Sequence, residues 1–292
     1  MITFSKLGRY GRLGNQLFQY AYLREMADRM GVYFWCPEWD GDHIFDLGDA
    51  HIRSKEQPKK FGALFDQGQQ AGYSADALEI KDDMEIQGYF QSEKYYRSPN
   101  LIKNWYKFKS NITESTSNKF DVDLTDRAVS ISLRLDSDYA KTREFFPLYP
   151  AKYYSRALNL INDAERILVF SDRIDLAKKF VLNIKTNLPF VFVNELNPAE
   201  QLWLMTQCGL GNILTNSTFA WWGGYLNKCE HAKIIAPMEW VRPNVPVPIS
   251  EILPEKWLKI SSLHPFWDDF RVWRLTHPFE TSMRVLNKFK NY

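Results

Sequence analysis

The second half of the chain alternates short β-rich runs with segments of helical periodicity, and no other feature constrains the fold as strongly. The runs are 128–133, 166–170, 190–193, 212–215 and 233–236. Between them, apolar residues recur at helical spacing in 150–163, 174–182 and 198–208. Strands that alternate with helices pair in parallel, because each helix carries the chain back along one face of the sheet. The sequence therefore predicts an α/β domain built on a parallel sheet.

Polar residues stand where four of these runs end. They are Arg134, Asp136 and Asp138 after the first run, Asp172 after the second, Asn194 and Glu195 after the third, and Asn216, Ser217 and Thr218 after the fourth. Ligands of open parallel sheets bind outside the carboxyl ends of the strands. We therefore expect these polar groups to face one crevice.

Each of these groups also has a purely structural interpretation. Arg134 either grips a phosphate, with a nearby carboxylate doing acid–base work, or pairs internally with Asp136 or Asp138. Asp172 either caps a helix or accepts hydrogen bonds from a base or ribose. The segment 216–218 either caps the next helix or binds phosphate at its N-terminus. The residues alone leave both interpretations open, whereas Trp221 and Trp222 are expected in the core.

The first half of the chain is less regular. The stretch GRYGRLGNQLFQYA, 8–21, opens a predicted helix from Leu13 to Met30. Its glycines lack the spacing of a dinucleotide-binding loop, and no Gly-Lys-Ser/Thr follows, so a P-loop is excluded. The segment 85–96 predicts a strand that runs into a helix. The segment 111–126 is polar without an apolar period and predicts a connection between two domains.

Composition excludes several classes of protein. The 292 residues include 37 basic and 35 acidic side chains, a balance that argues against nucleic-acid binding. Three cysteines without CxxC spacing and five histidines without a ligand-spaced pair argue against a disulfide framework or a metal centre. Neither a signal peptide nor an 18-residue apolar run is present, so we expect a cytoplasmic protein, at most in contact with a membrane surface. Aromatic residues reach 15%, which suits the binding of sugars and bases as well as core packing.

Six further segments are informative as a set: Gly11–Ala21, Gly88–Tyr96, Leu148–Leu158, Val169–Asp172, Leu202–Asn227 and Ile234–Trp240. Together they resemble glycosyltransferase family 11, the α-1,2-fucosyltransferases. They follow the order of the family and span most of the chain up to position 245, leaving the tail uncovered.

The resemblance implies a GT-B-like α/β fold, in which two Rossmann-type domains face a cleft. We expect an acceptor-side domain at 1–125, a GDP-sugar-binding domain at 126–265 and a helical tail at 266–292 that packs back on the body. The implied reaction is inverting transfer of L-fucose from GDP-L-fucose to the 2-hydroxyl of a galactoside within a glycan. The implied partners are therefore the GDP-sugar donor and a galactose-containing acceptor. No metal or other cofactor is expected.

The resemblance also implies roles for individual residues. Arg134 would contact the β-phosphate, and Asp138 or Asp136 would take the acceptor proton. Donor-binding residues would be Asp172 at the guanosine end, with Asn216, Ser217, Thr218 and Phe219 along the diphosphate and base. The cleft loop of the N-terminal domain would contribute Arg12, Gly14, Asn15 and Gln16.

The chain departs from the family at the first strand of the C-terminal domain. The family motif reads His-x-Arg-Arg-x-Asp, whereas here Ser132 holds the His position and Leu135 that of the second Arg. A charge-assisted contact worth about 1.5–3 kcal/mol is thereby lost. We expect a slower enzyme, another GDP-6-deoxyhexose donor such as GDP-colitose, or compensation by Arg12 or Arg143. The alternative from another class is a member that binds a glycan or nucleotide without turnover.

Overall fold

The computed structural model describes residues 1–68, 72–135, 145–242 and 251–262. The first part of the chain forms β1 (Ile2–Thr3), α1 (Leu13–Met30), β2 (Phe34–Trp35), α2 (Asp40–Ile44), β3 (Phe45–Asp46), β4 (Ala63–Asp66), β5 (Met84–Gln87), α3 (Pro99–Trp105), β6 (Lys107–Phe108) and α4 (Ser110–Lys119). The second part forms β7 (Ala128–Leu133), α5 (Ala151–Leu158), β8 (Arg166–Ser171), α6 (Ile174–Val181), β9 (Phe190–Phe192), α7 (Pro198–Gln207), β10 (Gly211–Ile213), α8 (Thr218–Tyr225), β11 (Lys233–Pro237) and β12 (Leu258–Ile260). Short 3₁₀ turns lie at Ala75–Leu78, Glu93–Tyr95 and Val122–Thr125.

The strands form two parallel sheets and one small antiparallel pair. The first sheet has the order β2-β1-β5-β4, and β3 pairs with β6 beside it. Helix α1 is buried along most of its length because it packs between this sheet and the second part of the chain. It ends at Gly31, whose left-handed backbone (φ 66°) lets its N–H bond back to the last turn.

The second sheet has the order β12-β11-β10-β7-β8-β9, with every pair parallel. Counted from β7, this is the doubly wound order, in which the chain direction across the sheet reverses between β7 and β10. In such sheets the ligand crevice lies at that reversal, outside the carboxyl ends of the strands. All six residues of β7 are buried, as expected for a strand covered on both faces.

The predicted parallel sheet of the second half is confirmed. Each of the five β-rich runs corresponds to a strand, β7 to β11, and the three helical segments contain α5, α6 and α7. The edge strand β12 was not predicted, because its three residues, Leu258–Ile260, are interrupted by a charged lysine and form no continuous apolar run.

Two sequence-based expectations in the first half need correction. The segment 111–126, expected as a polar connection, contains helix α4, which has no apolar stripe and is held by contacts with α7. The segment 85–96 runs from β5 into a 3₁₀ turn, and the α-helix begins later, at Pro99. The domain limits 1–125 and 126–265 stay predictions, and the tail 266–292 lies outside the described residues.

The two parts of the chain share an apolar core where α1 meets α8. The ring of Phe18 lies 4.5 Å from that of Trp221 and 4.8 Å from that of Trp222. Both tryptophans are fully buried, which confirms their predicted place in the core. This aromatic contact joins the two parts of the chain. None of the helices in the described ranges is long and apolar enough to span a membrane.

Candidate active site in the cleft

A cleft of about 1130 Å³ opens between the two parts of the chain, at the reversal point of the second sheet. Every predicted site residue that the structure describes lines it: Arg12, Gly14, Asn15, Gln16, Arg134, Asp172, Asn216, Ser217, Thr218 and Phe219. The predicted base candidates Asp136 and Asp138, and the compensation candidate Arg143, lie outside the described residues. Asn194 and Glu195 do not line the cleft, because β9 lies two strands from the reversal point; Asn197 does.

Arg134 and Asp172 pair at the ends of neighbouring strands. Arg134 Nε lies 3.1 Å from Asp172 Oδ2, and the backbone N–H of Leu135 donates to Asp172 Oδ1 at 2.8 Å. The carboxylate of Asp172 therefore ties the end of β7 to the end of β8. The ion pair of Arg134 within the described residues is thus with Asp172, a partner that sequence spacing had not indicated.

Leu135 does not line the cleft. Its side chain is 5% exposed and belongs to the apolar core beneath the second sheet, together with Leu133 and Val169. The position at which the family carries a second arginine is therefore a core position in this chain. Any cationic compensation must come from another element.

Two helix N-termini meet at the floor of the cleft. Among the described residues no side chain caps either α1, whose N-cap is Arg12, or α8, whose N-cap is Ser217. Ser217 thus occupies the N-cap position of α8, but its side chain does not form a capping hydrogen bond. The first N–H groups of a helix have no acceptor within it, and they favour anions through the helix dipole. The two termini touch at Gly14, where a Cβ would lie 2.5 Å from Phe219 N and 2.6 Å from Thr218 Oγ1.

Asn216 shapes the turn between β10 and α8. Its side-chain nitrogen donates to the carbonyl oxygens of Trp240, at 3.0 Å, and Pro147, at 3.3 Å. These bonds hold the turn against two neighbouring loops, with Asn216 only 5% exposed. The residue thus positions the N-terminus of α8 beside the cleft.

The side chain of Gln16 supports the glycine-rich loop before α1 through a hydrogen bond to its backbone. Gln16 Nε2 donates to the carbonyl of Gly11 at 3.2 Å, and Gly11 adopts φ 99°, which favours glycine. Gln16 is buried and therefore supports the loop backbone. Arg12, by contrast, is exposed, lines the cleft and forms no ion pair with any residue that the structure describes.

Sequence reasoning assigned no role to several residues that line the cleft. Tyr89 and Gln91 come from the segment 88–96, whose resemblance to the family was the available signal. Asp40 and His43 come from α2, a five-residue helix without a periodic signal. Ser132 is 5% exposed, and its Oγ has no hydrogen-bond partner among the described residues. Such a buried hydroxyl at a cleft is suited to bonding a ligand or a water molecule.

Comparison with known proteins agrees with this architecture. The Glycosyl transferase family 11 profile matches residues 76–254. The O-antigen biosynthesis glycosyltransferase WbnK of Escherichia coli is 30% identical over 124 residues, 40% of this chain and 38% of that protein. An alpha-1,2-colitosyltransferase of Escherichia coli is 27% identical over 188 residues, 62% of this chain and 64% of that protein. The match thus spans less than two thirds of the length of either relative.

Solved structures show the same fold. The crystal structure of POFUT1 in complex with GDP aligns with a TM-score of 0.52 and 13% identity, covering 80% of this chain and 96% of that chain. The predicted GT-B-like α/β fold is thereby confirmed. Because the family profile covers more than half of the residues, the chain belongs to glycosyltransferase family 11.

Proposed function

We propose that this protein transfers a 6-deoxyhexose from a GDP-sugar to a glycan. In its specific form, the proposal is inverting transfer of L-fucose from GDP-L-fucose to the 2-hydroxyl of a galactoside, without a metal ion. The observation that carries it is the meeting of two uncapped helix N-termini at Gly14, with Arg12 and Arg134 lining the same cleft. This arrangement is suited to a diphosphate. The names of the relatives, a colitosyltransferase and an O-antigen glycosyltransferase, support the choice of sugar chemistry.

The reaction requires stabilisation of the leaving group above all. As the bond between the anomeric carbon and the β-phosphate oxygen breaks, its electron pair leaves with GDP and negative charge builds up on the diphosphate. Arg134 and the N-terminus of α8 would stabilise that charge from one wall, and Arg12 from the other. Asp172 keeps Arg134 in place through the 3.1 Å ion pair.

The acceptor hydroxyl would attack the anomeric carbon from the face opposite the leaving GDP. A new carbon–oxygen bond forms, the configuration inverts, and the hydroxyl proton passes to a carboxylate, for which Asp138 and Asp136 remain the candidates. The glycan would approach from the N-terminal side of the cleft. We expect the reaction to take place in the cytoplasm or at the inner face of the membrane.

GDP-colitose is a second candidate for the donor and should be assayed in the same way as GDP-fucose. The 27% identity with a colitosyltransferase, over 62% of this chain, favours GDP-colitose as the alternative. The substitutions at Ser132 and Leu135 fit a donor site that differs from the usual family pattern. The acceptor chemistry and the cleft would be the same for both donors.

Calorimetry with GDP and mass spectrometry of products test the proposal. Purified protein should bind GDP, and it should form a glycosylated product from one GDP-6-deoxyhexose and a galactoside, with GDP released in equal amount. GDP-fucose, GDP-colitose and GDP-mannose should be compared with wild-type protein and with Arg134→Ala. Absence of both GDP binding and turnover across this panel would refute the proposal. GDP binding without turnover would point to a binding protein.

A further inference from the structure

Two loops carry stacked tyrosines at the N-terminal side of the cleft. The rings of Tyr10, before α1, and Tyr89, after β5, have centroids 4.7 Å apart and planes inclined by 20°. Both side chains are half-buried, and Tyr89 lines the cleft. Tyr10 therefore covers one face of the Tyr89 ring. We call these two residues the tyrosine platform.

A single buried side chain joins the two loops beneath the platform. Gln19 Nε2, on α1, donates to the carbonyl of Tyr10 at 2.9 Å and to the carbonyl of Gly88 at 3.1 Å. Gln19 is fully buried, so both bonds are shielded from water. The relative position of the two tyrosines is thereby set by the core of the domain.

The loop after β5 is held in a conformation that ordinary side chains avoid. Phe90 adopts φ 52°, and its ring stacks on Tyr22 with centroids 3.8 Å apart. Gln67 Oε1 accepts hydrogen bonds from the backbone N–H groups of Tyr89, at 3.0 Å, and Phe90, at 2.8 Å. Strained backbone of this kind persists where surrounding contacts impose it, and it is often found at ligand sites.

Amide groups lie beside the platform. Gln91 Nε2 donates to Asn15 Oδ1 at 3.0 Å, and both residues line the cleft. An amide pair of this kind offers further donors and acceptors in a fixed geometry. A pyranose ring has an apolar face that packs on aromatic rings and a rim of hydroxyls that require hydrogen bonds.

We propose that the tyrosine platform binds the acceptor sugar, with its apolar face on Tyr89 and its hydroxyls directed to Gln91 and Asn15. This inference rests on the proposed function, which places the donor diphosphate between Arg12 and Arg134. The inference adds the residues that would recognise a pyranose ring in the acceptor. Tyr10 acts as a positioning residue, because it stacks on Tyr89 and does not itself line the cleft. Burial, together with hydrogen bonding to Tyr10, raises the pKa of Tyr89.

Another aromatic side chain in the cleft, Phe145, is the alternative surface on which the acceptor sugar could pack. Phe145 is 51% exposed and lies on the C-terminal wall, on the donor side of the proposed site. If the acceptor sugar packed on Phe145, Phe145→Ala would raise the acceptor KM and Tyr89→Ala would not. The two alternatives therefore predict opposite results for one pair of variants.

Steady-state kinetics with methyl β-D-galactoside as the varied acceptor test the inference. Tyr89→Ala should raise the acceptor KM by about tenfold or more, whereas Tyr89→Phe, which keeps the ring, should stay within about threefold. Tyr10→Ala should give an intermediate increase. The calorimetric Kd for GDP should stay within about twofold in all three variants, since the platform is separate from the diphosphate contacts. Tyr33→Ala, which removes an exposed tyrosine outside the cleft, is the matched control and should behave as wild type.

An unchanged acceptor KM in Tyr89→Ala, or an increase confined to Phe145→Ala, would overturn the inference. If wild-type protein shows no turnover, the proposed function is in question, and the platform is then tested by binding alone. Saturation-transfer NMR with methyl β-D-galactoside in the presence of GDP should give a signal in wild type and Tyr89→Phe and none in Tyr89→Ala. Equal signals in wild type and Tyr89→Ala would reject the platform independently of activity. Circular dichroism of each variant identifies any loss of folding, in which case Tyr89→Leu replaces Tyr89→Ala.

Discussion

The indole Nε1 of Trp222 donates a 2.9 Å hydrogen bond to the carbonyl oxygen of Gly14, and this buried bond joins the first turn of α1 to α8. The two residues lie 208 positions apart and belong to the two walls of the cleft. The same turn of α1 approaches α8 so closely that a side chain at position 14 has no room. The distance between the walls is therefore set by backbone contact at this point.

Gly14→Ala should disrupt the junction of the two walls. The added Cβ would meet the backbone nitrogen of Phe219, which cannot move without displacing the start of α8. We expect a lower melting temperature and at least about a tenfold loss of GDP affinity, equivalent to 1.4 kcal/mol. Thermal unfolding and calorimetry measure the two effects. Wild-type GDP affinity in this variant would show that the contact does not shape the anion site.

Trp222→Phe should weaken the same junction without adding bulk. The ring contact with Phe18 is largely kept, but the carbonyl of Gly14 loses its indole donor in a buried site. Leaving such a group unsatisfied costs about 1–3 kcal/mol of unfolding free energy. Chemical denaturation gives this value. A loss below about 0.5 kcal/mol would mean that the bond contributes little.

Arg12→Ala tests whether this arginine supplies the positive charge that position 135 lacks. A charge-assisted contact to phosphate is worth about 1.5–3 kcal/mol, so the Kd for GDP should rise by tenfold or more. Arg134→Ala should have a comparable effect. Arg9→Ala is the matched control, because Arg9 is exposed on the same loop and does not line the cleft. Wild-type affinity and turnover in Arg12→Ala would remove Arg12 from the site.

Leu135→Arg should destabilise the protein and should not restore a family-like phosphate contact. The side chain at this position lies in the apolar core that includes Leu133 and Val169, where an unpaired guanidinium costs about 3 kcal/mol or more. Leu135→Met, which conserves volume, should cost less than about 1.5 kcal/mol. Urea denaturation of both variants compares these costs. A stable Leu135→Arg protein with tighter GDP binding would contradict the assignment of this residue to the core.

Glu200 links α7 to α4, and its titration should lower the free energy of unfolding as the pH becomes acidic. Burial alone would raise the pKa of Glu200, but hydrogen bonds from Lys119, Ser115 and the backbone of Asn197 hold it below the usual value. A carboxyl group whose pKa is lower in the folded state stabilises the fold above its unfolded pKa, about 4.3, and loses this effect as pH falls through the folded value.

Glu200→Gln should therefore cost about 2 kcal/mol at pH 7, since hydrogen bonds to a charged group are replaced by weaker ones. The difference in unfolding free energy between wild type and variant should shrink as the pH falls from the unfolded pKa, about 4.3, through the lower pKa of the folded state. Denaturation curves at pH 7, 5 and 3.5 measure it. A difference that stays constant over this range would show that the charge of Glu200 is unimportant.

The sheet in the second half of the chain was predictable because each of its predicted strands is marked by a local sequence pattern. Runs such as Ala128–Leu133 are rich in β-branched and apolar residues, and they are separated by helices long enough to show a period. The first sheet gave little signal, since β1 and β2 have two residues each and β4 is mostly exposed. Helix α4 was missed for a related reason: its contacts with Glu200 come from α7, and helices are stabilised mainly by such packing.

The sequence by itself determined the alternation of strands and helices, the polar residues at the strand ends and the resemblance to a family, because each of these is a pattern along the chain. Only the tertiary structure decided which groups meet. Arg134 finds Asp172 because β7 and β8 pair, and Leu135 faces the core although its neighbour lines the cleft. Likewise, Gly14 meets Phe219 and Tyr10 stacks on Tyr89. These contacts join residues far apart in the chain, so they depend on sheet order and packing, which no local pattern encodes.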